Sequence, residues 1–175
     1  MTNDIDDSLD KGEKLLAEIG AHSPHEETCL ALIKNGADVQ MHDAHGRTAL
    51  SIAARCGQDG LVKSLIEKGA AVAATDHLEW TPLMHAAYNG HVKIVQMLLE
   101  EGAYTTMRNK DGRTALGLAQ MRRDALFLEP GFVDGYREII RLIEQETTRC
   151  AFRDAAKRGT QKKRRVIPPS SLRTP

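Results

Sequence analysis

A step of 33 residues recurs through the middle of the chain and limits what it can fold into. Thr48, Thr81 and Thr114 stand at that interval, as do Leu50, Leu83 and Leu116, and Leu32, Leu65 and Leu98. Gly36, Gly69 and Gly102 keep it too, each followed by an alanine, Ala37, Ala70 and Ala103. A period of this length holds one small supersecondary unit, which cannot bury its apolar face alone, so copies must stack. The unit is clearest in Thr81 to Ala103, TPLMHAAYNGHVKIVQMLLEEGA. Thr81 supplies an N-cap oxygen, and Pro82 takes the first helical position, where a missing N–H costs nothing. Leu83, Ala86 and Ala87 recur at helical spacing as a narrow face of small residues that lets a neighbouring helix approach. The chain reverses at Asn89-Gly90. A second apolar stripe then runs from Val92 through Val95 and Met97 to Leu98 and Leu99, and Gly102 ends it as the residue after a helix often does.

The period, the T-P-L head of the first helix and the G-A after the second resemble the ankyrin repeat family over roughly Leu15 to Glu146. The resemblance implies an all-α fold, an ankyrin-repeat solenoid of about four helix-turn-helix units with short projecting hairpin loops. The chain then divides into an acidic N-terminal tail (1–10), a capping ankyrin-like unit (11–38), repeats at 39–77, 78–110 and 111–148, and a basic C-terminal tail (149–175). In the capping unit, Asp10 and Glu13 have the spacing of a capping box, which predicts a helix from near Lys11 through Leu15, Leu16 and Ile19. A second helix is expected over 26–35, with Cys29, Leu30, Leu32 and Ile33 inward. His22, Ser23, Pro24 and His25 replace the usual head. An atypical end unit is what a stack requires, since its outer face meets water. Asp43, Asp76 and Asn109 repeat at the bases of the hairpin fingers, where such side chains hydrogen-bond local backbone N–H groups. Departures from the pattern are Ala49 and Ser51 in the second unit, Met84 in the third, and Ala115 and Gly117 in the fourth. Glu79 stands where the other finger turns have Gly46 and Gly112, which predicts a less tight turn there.

Aligning Lys93 to Leu98 with Glu138 to Ile143 requires a step of 45, so the fourth unit carries 12 extra residues. They lie within Arg123 to Tyr136, where Pro130-Gly131 reads as a turn and Phe127, Leu128, Phe132 and Val133 show no helical order. Two readings follow: a lid folded over the end of the stack, or a docking knob for a partner. Net charge is zero but uneven. From Arg149 onward nine Lys or Arg face one acid, Asp154, whereas the remainder holds fifteen bases and twenty-three acids. Residues 149–158 are expected to continue the last helix. After Gly159 the composition loses apolar periodicity and reads as disordered. Lys157, Arg158, Lys162, Lys163, Arg164 and Arg165 resemble a nuclear import signal or an anionic-surface patch, against the alternative of a solvated tail.

Met1 to Asp10 holds four Asp, and nowhere are about eighteen apolar residues consecutive, which predicts neither a secretory leader nor a membrane span. Cys29, Cys56 and Cys150 lack paired spacing and fit a reducing compartment. A cytoplasmic location is therefore expected, with a nuclear one open through the tail. Function is expected on the concave face that the resemblance implies. The finger positions there include His45 and Arg47, then His77, Leu78 and Trp80, then Lys110, Asp111 and Arg113. The inner-helix ends include Arg55, Tyr88, Asn89 and Arg122. Trp, Tyr and Arg are enriched in binding hot spots, and Trp80 is the chain's single Trp. The bland alternative has Trp80 packing on the neighbouring finger.

No nucleophile-and-base pattern, P-loop or Gly-rich phosphate cradle is present, so no enzyme and no cofactor is expected. His22 with His25 and His42 with His45 share an H-x-x-H spacing, but both fall in turns without paired Cys, so no metal is expected either. His85 and His91 read as structural, and Cys56 as a small filler rather than a reactive thiol. Aromatics do not interleave with the tail's bases, which argues against sequence-specific reading of nucleic acid. The expected partner is another protein bound by a monomer, with no small-molecule substrate. A regulatory adaptor directed by the basic tail is the alternative, and an enzyme or zinc protein a remote one.

Overall fold

The computed structural model describes residues 11–21, 25–125 and 130–164. Among them stand eight helices: α1 (Lys11–Gly20), α2 (Glu26–Lys34), α3 (Ala49–Cys56), α4 (Asp59–Glu67), α5 (Pro82–Asn89), α6 (Val92–Glu100), α7 (Ala115–Ala125) and α8 (Pro130–Arg164). They pair in order as four antiparallel couples. The odd-numbered helices pack on one another in one row and the even-numbered ones in a second. The all-α repeat solenoid expected from the 33-residue step is the fold observed.

Local chemistry sets the ends of the inner helices. Thr48 and Thr81 sit in extended conformation and accept from Ser51 N and Met84 N, satisfying donors that a first helical turn leaves open. Thr114 does the same for Gly117 N at 3.3 Å. The replacements at Ser51, Met84 and Gly117 therefore leave the cap intact, because it uses their backbone alone. Leu50, Ala53 and Ala54 of α3, Leu83, Ala86 and Ala87 of α5, and Leu118 and Ala119 of α7 are buried between the rows. Burying each of the larger side chains contributes about 1.5–3 kcal/mol.

The capping unit follows its expectation, with Leu15, Leu16, Ile19, Cys29 and Ile33 buried and Leu30 and Leu32 partly so. Burial and the nearby Glu18 carboxylate push the Cys29 thiol up to about 11, so it serves as a core filler. Asp10, His22, Ser23 and Pro24 lie outside the described residues.

The step of 45 is visible as burial. Ile139, Ile140 and Ile143 of α8 are buried, as are Ile94, Val95 and Leu98 of α6. The segment between departs from its expected form. Pro130-Gly131 does not make a turn but opens α8, since proline's fixed φ suits the first helical turn. The insertion is thus shared between a longer α7 and an earlier start of α8. Phe127 and Leu128 lie outside the described residues. At the other end α8 runs through Gly159 to Arg164, so the part of the tail expected to be disordered begins as helix. No helix among the described residues is long and apolar enough to cross a membrane.

Candidate functional site

Three fingers project beside the inner helices, each built on one side chain. Asp43 Oδ1 accepts from His45 N and Arg47 N, both at 2.9 Å. Asp76 Oδ1 accepts from Leu78 N and Trp80 N at the same distance, and Asn109 Oδ1 from Asp111 N and Arg113 N. Neighbouring fingers are stitched by His77 N donating to His45 O and Lys110 N to Leu78 O. The third unit's turn is not looser than the others. Glu79 N reaches Asp76 O at 2.8 Å, against 2.9 Å and 2.8 Å for Gly46 and Gly112. Glu79 meets the geometry by adopting a φ of 61°, unusual for a residue with a side chain.

The free oxygen of each finger base is used differently. Asp43 Oδ2 takes Arg47 in a paired contact, Nε at 2.8 Å and Nη2 at 2.6 Å. Burial pushes the Asp43 carboxyl up, but hydrogen bonds from Arg47 and His45 outweigh it and hold the group below its usual range. Asp76 Oδ2 lies 3.0 Å from Nε2 of His85, a buried residue of α5. Burial lowers the His85 pKa; Asp76 opposes that shift, while the charges of Arg55 and Arg47 add to it. Asn109 presents an amide nitrogen instead. That Nδ2 is buried without a hydrogen-bond partner, and Arg113 turns away to contact Met121 Sδ.

Between the first two fingers and α5 lies a groove of about 640 Å³. His45, Arg47, Arg55, His77, Leu78, Trp80, Tyr88 and Asn89 line it together, with Asp76 and His85 at its floor. Trp80 is half-buried, 5.1 Å from the His85 ring and edge-on to Tyr88 at 5.4 Å between centroids. Both of these ring partners belong to its own unit. Leu78, at the finger tip, is 60% exposed. Arg122 caps the cluster, its guanidinium carbon 4.9 Å from the Tyr88 ring centre. The Tyr136 phenol beside it outweighs the cost of burial and favours its charged form. Tyr136 also donates to Tyr88 O at 2.9 Å and covers Gly90, whose φ of 82° closes α5.

Lys110, Asp111 and Arg113 stand exposed on the third finger and do not line the groove. Lys157, Arg158, Lys162, Lys163 and Arg164 fall on α8, their side chains outside the described residues, as is the whole of Arg165. Cys56 is exposed, not a filler, because α3 ends there and turns its last side chain to water. Asp76 and His85 complete the site and were not among the expected binding residues. A signal for His85 existed: the same position of the period holds Ile52 and Leu118. A lone histidine in an otherwise aliphatic column needs a polar partner when buried. No group of three His, Cys, Asp or Glu that could hold a metal occurs among the described residues.

The model of the family described as "Ankyrin repeats (3 copies)" matches residues 2–76 and 71–129. The chain belongs to the ankyrin repeat family. Ankyrin repeats generally mediate protein–protein interaction and are typically non-catalytic. A comparison with curated proteins finds no match. The fourth helix pair, with the long α8, lies mostly beyond the matched ankyrin segment.

Proposed function

We propose that this ankyrin module captures a partner protein on its concave face, centred on Trp80 and Tyr88, and performs no chemistry of its own. The observation that supports this most is the aromatic cluster at the centre of the groove beside an exposed Leu78. Large rigid side chains offer contact area at small entropic cost, which is why they dominate binding hot spots. Trp80 sits where the neighbouring repeats carry Arg47 and Arg113, so the period does not demand an aromatic residue there. Affinity capture from lysate with the wild-type chain and a Trp80→Ala, Tyr88→Ala double variant tests the proposal. A protein held by the first and lost by the second, with each single truncation costing about 2 kcal/mol or more, is the expected result. Identical captured sets would move the binding surface elsewhere.

A second reading takes the protein as an adaptor directed to the nucleus or to an anionic surface by its C-terminal bases. It is favoured by the density of Lys and Arg on the last turns of α8 and just beyond. Deleting residues 159–175 should then change localisation and leave partner affinity intact.

A further inference from the structure

The groove has a charge as well as a shape. Outside residues 149–175 the chain is acidic, yet the concave face carries Arg47 and Arg55 in the groove and Arg122 at its edge, of which Arg47 alone is paired with a carboxylate among the described residues. The carboxylates that reach this face are already engaged, Asp43 by Arg47 and Asp76 by His85 and two finger amides. Glu79 and Asp111 sit exposed at the finger turns and do not line the groove. Arg137, Arg141 and Arg149 on α8 each pair with a carboxylate three residues away. Arg55, Arg113 and Arg122 have no such partner among the described residues, although Arg122 lies against Tyr88. A guanidinium presents a planar fork that matches a carboxylate with two parallel hydrogen bonds.

The arginines also have a spacing. One position of the repeat holds Arg47, Trp80 and Arg113; another holds Arg55, Tyr88 and Met121, with Arg122 next in sequence. The aromatic pair of the middle unit therefore stands between cations of the unit before and the unit after. Packed helices stand about 8–10 Å apart, and an extended chain rises about 3.3 Å per residue. One repeat thus corresponds to about three residues of an extended segment laid across the stack.

We infer that the groove takes an extended acidic segment of a partner protein, with an apolar or aromatic side chain seated on Trp80 and Tyr88 and Asp or Glu about three residues to either side meeting Arg55 in the groove and Arg122 at its edge. The inference rests on the proposed concave-face function and names the chemistry of its partner. A polypeptide fits better than single-stranded nucleic acid. The rings engage one another and Arg122, rather than standing apart as platforms for successive bases.

The test pans a phage-displayed random peptide library on the full chain, on Trp80→Ala and on an Arg55→Glu, Arg122→Glu double variant. Circular dichroism checks each fold, and the Arg→Gln pair replaces any Glu variant that unfolds. Wild-type selections are expected to share an apolar residue flanked by acids. A fluorescein-labelled synthetic copy of the enriched peptide should lose affinity about a hundredfold on the double charge reversal. Selection on that variant should replace the acids with Lys or Arg. Neutral or basic peptides that still require Trp80 would overturn the acidic partner and leave the concave face standing. Peptides retained by Trp80→Ala would overturn both. Failure to enrich any peptide, or displacement of the enriched peptide by single-stranded oligothymidylate, would overturn the inference.

Discussion

The finger built on Asp76 and the finger built on Asn109 close through the same hydrogen bonds, and their backbones are interchangeable in outline. Their base side chains differ in one heavy atom. Asp76 has a second oxygen, which partners His85 at the floor of the groove, whereas Asn109 has an amide nitrogen that finds no partner and offers Arg113 no acceptor. The finger on Asp43 shows what the arginine does when an oxygen is offered: it folds back and pairs. The Asp43 carboxylate holds its finger's arginine in the fold, whereas beside the Asn109 amide Arg113 contacts Met121 instead. At Asp76 the second oxygen is instead the partner of the buried His85 of α5.

The largest break in this comparison should come from Asp76→Ala. It strands Leu78 N, Trp80 N and His85 together, and about 3 kcal/mol of stability should be lost, measured as a lower midpoint in urea. Next is the turn. Gly112→Ala forces a side chain into a positive φ of 74° where nothing obstructs it, so the cost is conformational, about 1–2 kcal/mol. Glu79→Gly at the matching site should stabilise by about 1 kcal/mol. If thermal melts show no gain, the Glu79 backbone is not strained.

Smaller again is Asn109→Asp, which should let Arg113 pair as Arg47 does and stabilise by about 0.5–1 kcal/mol. The new carboxyl should titrate below its unfolded value, as Asp43 does. Its contribution is then full above an unfolded pKa of about 3.9 and is lost as pH falls through the folded value. Melts at pH 7 and pH 3 of the variant and the wild type check both claims.

The smallest expected effect is that of His85. Its folded pKa lies below an unfolded value of about 6.5, mainly because burial disfavours the charged ring. The unfolded chain binds the proton more readily, so stability is full above that value and falls as pH drops through the folded one. Urea unfolding at pH 7.5 and 5.5 should show a larger loss in wild type than in His85→Gln. Equal losses would assign the proton to another histidine.

Much of the fold was legible because its signals are local and repeated. Thr48, Thr81 and Thr114 cap helices through contacts three residues away, and Asp43, Asp76 and Asn109 close turns through contacts two and four residues away. Such contacts depend on spacing alone, so a period announces them. Pro130-Gly131 was ambiguous for a related reason. The same dipeptide suits a turn and a first helical turn, and local sequence does not choose between them. The groove was legible only in part. His45, Arg47, Arg55, His77, Leu78, Trp80, Tyr88 and Asn89 come together as the repeat register implied, whereas Lys110, Asp111 and Arg113 lie one finger beyond.

By itself the sequence determined the 33-residue unit, its caps and turns, the aliphatic columns and the membership of the stack, all of which follow from short-range geometry repeated along the chain. The tertiary structure decided what has no period. Arg122 reaches across to Tyr88, Tyr136 ties α8 to Tyr88 O from 48 residues away, and His85 sinks onto Asp76. Each of these depends on the distance between side chains of adjacent helices or of a finger and its helix. That distance is set only once the units have packed and excluded water between them.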